Sequence, residues 1–244
     1  MQQERLRALG EMASGIAHDI NNAISPIPLY LKLIENKGNL PDETSAHLNT
    51  IKIAVRDVEE TVRRMRQFYR VRQEQHFLPV DVNRAAQQAI DLTRPRWRDV
   101  LQEKGITIHL QTDFQADLPL VMGDETEIRQ AATNLILNAV DAMPEGGTLT
   151  LQTRSQTTPA ADVILEVIDT GVGMDDEQQA RAFEPFYSTK GARGSGLGLA
   201  TVYGTMQRHG GAAEVESAPG EGTMIRLVFP IRPVVVAPTG REAV

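Results

Sequence analysis

Cysteine is absent from the 244 residues, which excludes disulfides, thiolate metal sites and cysteine nucleophiles and suits a reducing cytosol. A basic excess is absent too. The net charge of −7 argues against general nucleic-acid binding, which needs a basic face. No apolar run reaches the roughly 18 residues of a membrane-spanning helix, and the opening MQQERLRALGEM has no apolar core of a signal peptide. The string GxxxxGK[ST] of a P-loop does not occur, and the histidines nowhere have metal-ligand spacing. The apolar fraction of 41% is that of an ordinary globular chain. The expectation is a soluble, cytoplasmic segment without direct membrane contact, compatible with a longer, membrane-anchored protein.

Two apolar seams occupy the first third. Leu6, Leu9, Ala13, Ile16, Ile20, Ala23, Ile27, Tyr30 and Ile34 recur at alternating spacings of 3 and 4, as do Leu48, Ile51, Val55, Val58, Val62, Met65 and Tyr69. This is the seam of packed helices. The stretch from Lys37 to Asp42 separates them: Gly38 can end one helix and Asp42 can cap the next. A two-helix hairpin buries little core, and a four-helix bundle is the usual solution, so a homodimer is expected. The alternative is a helix pair covered by the rest of its own chain. Pro26 and Pro28 predict a kink in the first helix.

His18 lies midway between seam residues Ile16 and Ile20, a rotation of roughly 200° from the seam, and so points to solvent. Asp19 adjoins it and Asn22 lies one turn on, along the same face. An exposed imidazole is a nucleophile near neutral pH, and a neighbouring carboxylate can orient it and accept its proton.

From residue 73 the pattern changes. A linker or edge strand to residue 80 precedes a helix capped by Asp81 or Asn83 and interrupted at Pro95. Strands are predicted at 106–111, 120–122, 147–154, 162–168, 212–217 and 222–230. Asp124 and Glu127 have the spacing of a capping box opening a helix to Met143. Strands interleaved with helices read as an α/β sandwich. His209 closes a helix after the glycine-rich region 191–198, where a partial positive charge suits the helix C-terminus.

Three polar features stand out. Asn134, Asn138 and Asp141 form a stripe on an otherwise apolar helix; they are either satisfied core amides or a site for Mg²⁺ and phosphate, since Mg²⁺ takes oxygen ligands and keeps several waters. Asp169-Thr170-Gly171-Val172-Gly173 follows an apolar strand; the glycines let the chain turn closely around a ligand, and the carboxylate can accept from an adenine amino group. Gly191 to Leu199, with Gly194, Gly196, Leu197 and Gly198, precedes a helix whose N-terminal amides can bind anions. Between the last two strings lies Phe183 to Lys190: Phe186 and Tyr187 can anchor a lid, and Lys190 and Arg193 can meet phosphates. The plainer reading is a hydrophobic loop anchor with solvated charges.

Taken together, GIAHDINN, NLILNAVDAM, DTGVGM, FEPFYSTK and GSGLGLATVYG, in this order, resemble the phosphoacceptor box and ATP-binding motifs of sensor histidine kinases of two-component systems. The resemblance covers residues 5–232. It implies an α+β architecture: a hairpin forming a dimeric four-helix bundle (1–74), an α/β sandwich ATP-binding domain of the gyrase, chaperone and histidine-kinase type (75–232), and a tail or linker (233–244). His18 is then the phosphoryl acceptor, Asp19 assists it, and Asn22 matches the position tied to dephosphorylating the regulator. Asn138 becomes the principal Mg²⁺ ligand, Asn134 supports metal or phosphates, and Asp169 reads adenine in a pocket shaped by Gly171 and Gly173. Lys190, Gly194, Gly196, Leu197 and Gly198 belong to the lid and phosphate loop. Many relatives carry Ala23 as Pro and Asp141 as Lys or Arg.

The expected activity is ATP-dependent phosphorylation of His18 and transfer to an aspartate of a response regulator's receiver domain, with ATP and Mg²⁺ as cofactors. A sensor domain is expected upstream and a receiver domain can follow residue 244. The rivals are a related non-kinase ATPase, against which the His18 box speaks, and a degenerate dimeric scaffold, against which the intact glycine strings and both asparagines speak.

Overall fold

The computed structural model describes residue 20 and residues 23–35, 41–68, 77–99, 101, 105–158, 160–189 and 196–231. His18, Asp19, Asn22, Lys190, Gly194 and the segment 233–244 lie outside them. The chain divides into two units, residues 1–73 with 185–201 and residues 74–184 with 202–244.

In the first unit, α1 (Pro26–Glu35) and α2 (Asp42–Phe68) pack on each other. Residues 23 and 24 are helical, Ser25 is a turn, and the helix resumes at Pro26. Proline is tolerated there because the first turn of a helix needs no donor. The packed face differs from the predicted seam. Leu31 of α1 is buried, with Ile20, Ile24 and Ile27 half-buried, whereas Tyr30 is 63% exposed and Ile34 38%. On α2, Leu48, Val55 and Val62 are buried, and Ile51, Ile53 and Val58 are exposed. Among the described seam positions of α2, therefore, alternate ones are covered within one chain. Lys52 Nζ pairs with Glu35 Oε1 across the two helices. Among the described residues no helix is long and apolar enough to cross a membrane.

The second unit is built on a five-stranded sheet. Its strands are β2 (Ile108–Phe114), β4 (Gly147–Gln156), β5 (Asp162–Asp169), β6 (Ala212–Ala218) and β7 (Gly222–Pro230), in the order β2-β4-β5-β7-β6. β2 and β4 are parallel and the other neighbours antiparallel. A parallel pair requires a crossover, which here contains α4 (Glu125–Ala142). A separate ribbon pairs β1 (Leu78–Val80) with β3 (Val121–Gly123). β2 runs three residues beyond the predicted end, because its pairing with β4 extends from Ile108↔Gly147 to Phe114↔Thr153. The exposed Gln111, Thr112 and Asp113 hide this edge strand from an alternation pattern.

One face of the sheet buries Leu149, Leu151, Val163, Leu165, Val167, Ile225, Leu227 and Phe229, and α4 packs on β4, β5 and β7. Beside α4 runs α3 (Val82–Arg94), which buries Val82, Ala85, Ala86, Ala89 and Ile90. Asp81 caps α3 by accepting from the Arg84 amide at 3.1 Å. Asn83 instead bridges helix and sheet, donating to the Gln115 carbonyl and accepting from the Thr153 hydroxyl at 2.6 Å. Pro95 ends α3, and the chain widens into a π-helical turn, Pro95–Asp99, anchored by buried Trp97. The short α5 (Asp176–Arg181) carries a complete capping box between Asp175 and Gln178. α6 (Gly198–His209) precedes β6. On the opposite sheet face, Glu166 is 1% exposed and accepts from Arg154 at 2.5 Å and Arg226 at 2.7 Å; two guanidiniums offset the cost of burying that carboxylate.

Candidate functional site

α4 exists because Asp124 caps it and one face is apolar. The Asp124 carboxylate accepts from the amides of Thr126 (2.8 Å) and Glu127 (3.2 Å). Ile128, Ala131, Ala132, Leu135, Ile136, Ala139 and Val140 are buried, and each large side chain so buried stabilises by about 1.5–3 kcal/mol. Asn134 and Asn138 lie half-buried along the helix, and Asn134 Oδ1 accepts from Gln130 at 3.3 Å. One turn on, Asp141 pairs with Arg96 Nη2 at 3.4 Å. No local pattern marks Arg96: it arrives from the π-helical turn, and only the tertiary packing of that turn on α4 brings it there.

Asp169 ends β5 and is 6% exposed. Its Oδ1 accepts from the Gly171 amide at 2.8 Å. Burial pushes its pKa above the ordinary carboxylate value, against the opposing pull of the Gly171 and Thr223 amides. The turn after it is held from two sides. The Val172 amide donates to the Ala142 carbonyl, the last residue of α4, at 3.0 Å, and the Gly220 amide donates to Val172 O at 2.8 Å. The Met174 amide donates to Ser217 Oγ at 2.8 Å. The structure thus brings Asp169, Gly171 and Gly173 to the C-terminal end of the helix that carries Asn134 and Asn138. A cleft of 320 Å³ at the ends of β5, β6 and β7 is walled by Ile168, Asp169, Glu216, Ser217, Thr223 and Met224 and does not include Asn134, Asn138, Gly171 or Gly173.

Gly171 and Gly173 are required by this close approach. A Cβ on Gly171 would collide with the Ala142 carbonyl, and one on Gly173, at φ +68°, with the Ala218 carbonyl. Gly173→Ala therefore combines backbone strain with overpacking, and the expected loss is about 3 kcal/mol of unfolding free energy. Urea titration measures it; an unchanged midpoint contradicts the packing described.

In the other unit, Gly196 sits at φ +62°, and a Cβ on it would collide with the Phe186 backbone. The Phe186 amide donates to the Gly196 carbonyl at 2.9 Å, and Phe186 itself is held at φ +67°. Leu197 is fully buried, and its carbonyl accepts from both the amide (2.9 Å) and the hydroxyl (2.7 Å) of Thr201. Gly198 is the first residue of α6.

Two expectations need correction. Glu127 does not complete the capping box at Asp124; its carboxylate is drawn to Arg208 at 2.9 Å. The Asp124 amide donates instead to His209 Nε2 at 3.1 Å. His209 is consequently not a helix-end cation. With Nε2 accepting, Nδ1 carries the proton and donates to the Thr205 carbonyl at 2.8 Å. The ring is 2% exposed, and burial holds its pKa below the ordinary histidine value.

Comparison with known proteins bears on both parts of the chain. Residues 8–74 match the family described as "His Kinase A (phospho-acceptor) domain". Residues 123–233 match "Histidine kinase-, DNA gyrase B-, and HSP90-like ATPase". Sensor kinase CckA of Brucella abortus (strain 2308) is 34% identical over 252 residues, covering 94% of this chain and 25% of CckA. Among solved structures, full-length ShkA in complex with AMPPNP superposes with a TM-score of 0.76 and 27% identity, over 90% of this chain and 45% of ShkA. The mycobacterial sensor histidine kinase MprB superposes with a TM-score of 0.54 and 30% identity, over 64% of this chain and 99% of that one. The chain spans about a quarter of CckA's length. With a phospho-acceptor segment and an ATPase segment matched in order, and with 30% identity across nearly all of the MprB chain, this chain belongs to the histidine kinases.

Proposed function

We propose that this chain binds ATP in the sheet unit, transfers the γ-phosphoryl group to the His18 imidazole with release of ADP, and passes it to an aspartate of a response regulator. The observation that carries the nucleotide half is the placement of Asp169. It is a buried carboxylate on a turn whose glycines admit no side chain, fastened to the end of the amide-bearing helix. A carboxylate raised in pKa by burial gains most from a new donor, and the adenine amino group is such a donor. The sign follows. Because burial raises the folded pKa above that of a free aspartate, Asp169 contributes stability that is fully present at low pH and is lost as pH rises through its folded pKa. The ionised form is held at a cost that adenine binding relieves.

The half-buried amides of Asn134 and Asn138 are oxygen donors of the kind Mg²⁺ accepts beside waters and phosphates. Asn138 would hold the ion and Asn134 support it; bound there, Mg²⁺ supplies neutralisation of phosphate charge. The protein's own share is positioning, since phosphoryl transfer needs alignment and charge neutralisation more than covalent chemistry. Gly196, Leu197 and Gly198, with Lys190 and Gly194, form the lid and phosphate loop in this reading. On the hairpin, Asp19 orients His18 and takes its proton, and Asn22 serves hydrolysis of the regulator's phosphoryl group.

The exposed Leu29, Leu33, Ile51, Ile53 and Val58 support a homodimer in which a second hairpin completes a four-helix bundle. A unit boundary after residue 73 supports a phosphoacceptor hairpin of residues 1–74, and this reading assigns residues 75–232 to an ATP-binding domain although residues 185–201 group with residues 1–73.

Incubation with Mg²⁺ and γ-labelled ATP tests the proposal. An acid-labile, alkali-stable label on the protein is expected. Normal ATP binding with no label points instead to a scaffold.

A further inference from the structure

His209 has no place in the chemistry above, yet it is the most completely engaged histidine among the described residues. It ends α6, and its Nε2 accepts the Asp124 amide at 3.1 Å. Asp124 is the N-cap of α4. The preceding residue, Gly123, lies so close beneath the ring that a Cβ there would stand 2.7 Å from His209 Cδ2. Phe77 stacks on the imidazole, with ring centroids 4.8 Å apart and planes inclined by 16°. Phe229 of β7 meets it edge-on at 6.2 Å. Phe77 immediately precedes β1 and lies on the stretch of chain that connects the hairpin to the sheet domain.

We propose that His209 is a positioning residue that transmits the placement of Phe77, on the chain entering the domain, to the start of the helix that carries Asn134 and Asn138. The coupling works through the ring's acceptor. While Phe77 covers the imidazole, the ring stays neutral with the proton on Nδ1, and Nε2 receives the Asp124 amide. When Phe77 withdraws, water reaches the ring. Protonation then turns Nε2 into a donor facing another donor, and the tie to the α4 cap is lost. The charged groups around the ring are Asp124 and Glu127 of the α4 start and Arg208 of its own helix. The two acids favour the imidazolium and Arg208 opposes it, so burial is what keeps the ring neutral. The packing from β7 and from the entering chain, Phe229 and Phe77, adds no charge. The proposal rests on the kinase reading only for the consequence of moving α4.

The test uses the full chain and Phe77→Ala, which touches neither the hydrogen bonds of His209 nor the nucleotide residues. Phe77→Tyr is the conservative control. One readout is the imidazole nitrogen spectrum against pH, with His209 assigned by the signal missing from His209→Phe. The other is the Mg²⁺·ATP dissociation constant at pH 8 and pH 6. In the wild type and Phe77→Tyr, His209 is expected to remain the neutral Nδ1–H tautomer across this range. In Phe77→Ala its titration is expected to move upward, towards that of an ordinary histidine. ATP binding of Phe77→Ala should match the wild type at pH 8 and be about fivefold weaker than the wild type at pH 6, the loss of one hydrogen bond. A general packing defect would weaken binding equally at both pH values, and that result, or an unchanged His209 titration, overturns the proposal. If the wild type itself fails to bind ATP, the kinase reading falls. The Asp124 amide resonance then decides the coupling: movement with His209 titration in Phe77→Ala alone supports it, and no movement refutes it.

Discussion

Asp169→Asn is expected to weaken ATP binding about a hundredfold while leaving the ligand-free protein as stable as before or slightly more so. The two effects have one cause. The carboxylate is buried and raised in pKa, so removing its charge relieves desolvation in the empty protein. The Gly171 amide that it accepts can still donate to the amide oxygen of Asn. Adenine, however, loses a charge-assisted acceptor, and a mismatched amide can present a donor to its amino group. A site built around one polar contact rejects the wrong partner strongly, because groups already stripped of water are left unpaired. Calorimetric titration with Mg²⁺·ATP and thermal unfolding of the ligand-free protein measure the two halves. Loss of binding together with a large fall in stability would mean that Asp169 is a structural residue.

Asn138→Ala is expected to lower the rate of labelling from γ-labelled ATP by about a thousandfold, the scale seen when a group stabilising transition-state charge is removed. The side chain is half-buried on a helix whose cap and apolar face are intact without it. Alanine is also a better helix former than asparagine, so the fold should tolerate the change. Raising Mg²⁺ should recover part of the rate if the amide holds the ion. Single-turnover labelling over a Mg²⁺ series measures this, and a rate within about threefold of the wild type would remove Asn138 from the metal site.

Features fixed by local chemistry were legible in the sequence. The Asp124 cap, the helix it opens, the apolar strand ending at Asp169 and the tight glycine turn all depend on neighbours in the chain. Features fixed by distant packing were not. The spacing of the first seam includes Tyr30 and Ile34, but within one chain the covered position is Leu31; periodicity marks apolar residues without saying which partner covers them. Glu127 has the spacing of a capping box, yet Arg208, 81 residues away, takes its carboxylate. His209 sits where a cation suits a helix end, but burial holds its pKa down and its Nε2 accepts from the Asp124 amide. Asp141 departs from the basic residue of many relatives, and Arg96 answers it from another element. In the last three cases a group 45 or more residues away decides the outcome.

The most direct measurement of the central claim is the location of the phosphoryl group. The chain and its His18→Gln variant are incubated with Mg²⁺ and ATP, digested under alkaline conditions that preserve phosphohistidine, and sequenced by mass spectrometry. The kinase reading expects one phosphoryl group on the peptide containing His18, absent from the variant although the variant still binds ATP. Label that persists in the variant at the wild-type level would contradict it, because His18 would then not be the acceptor.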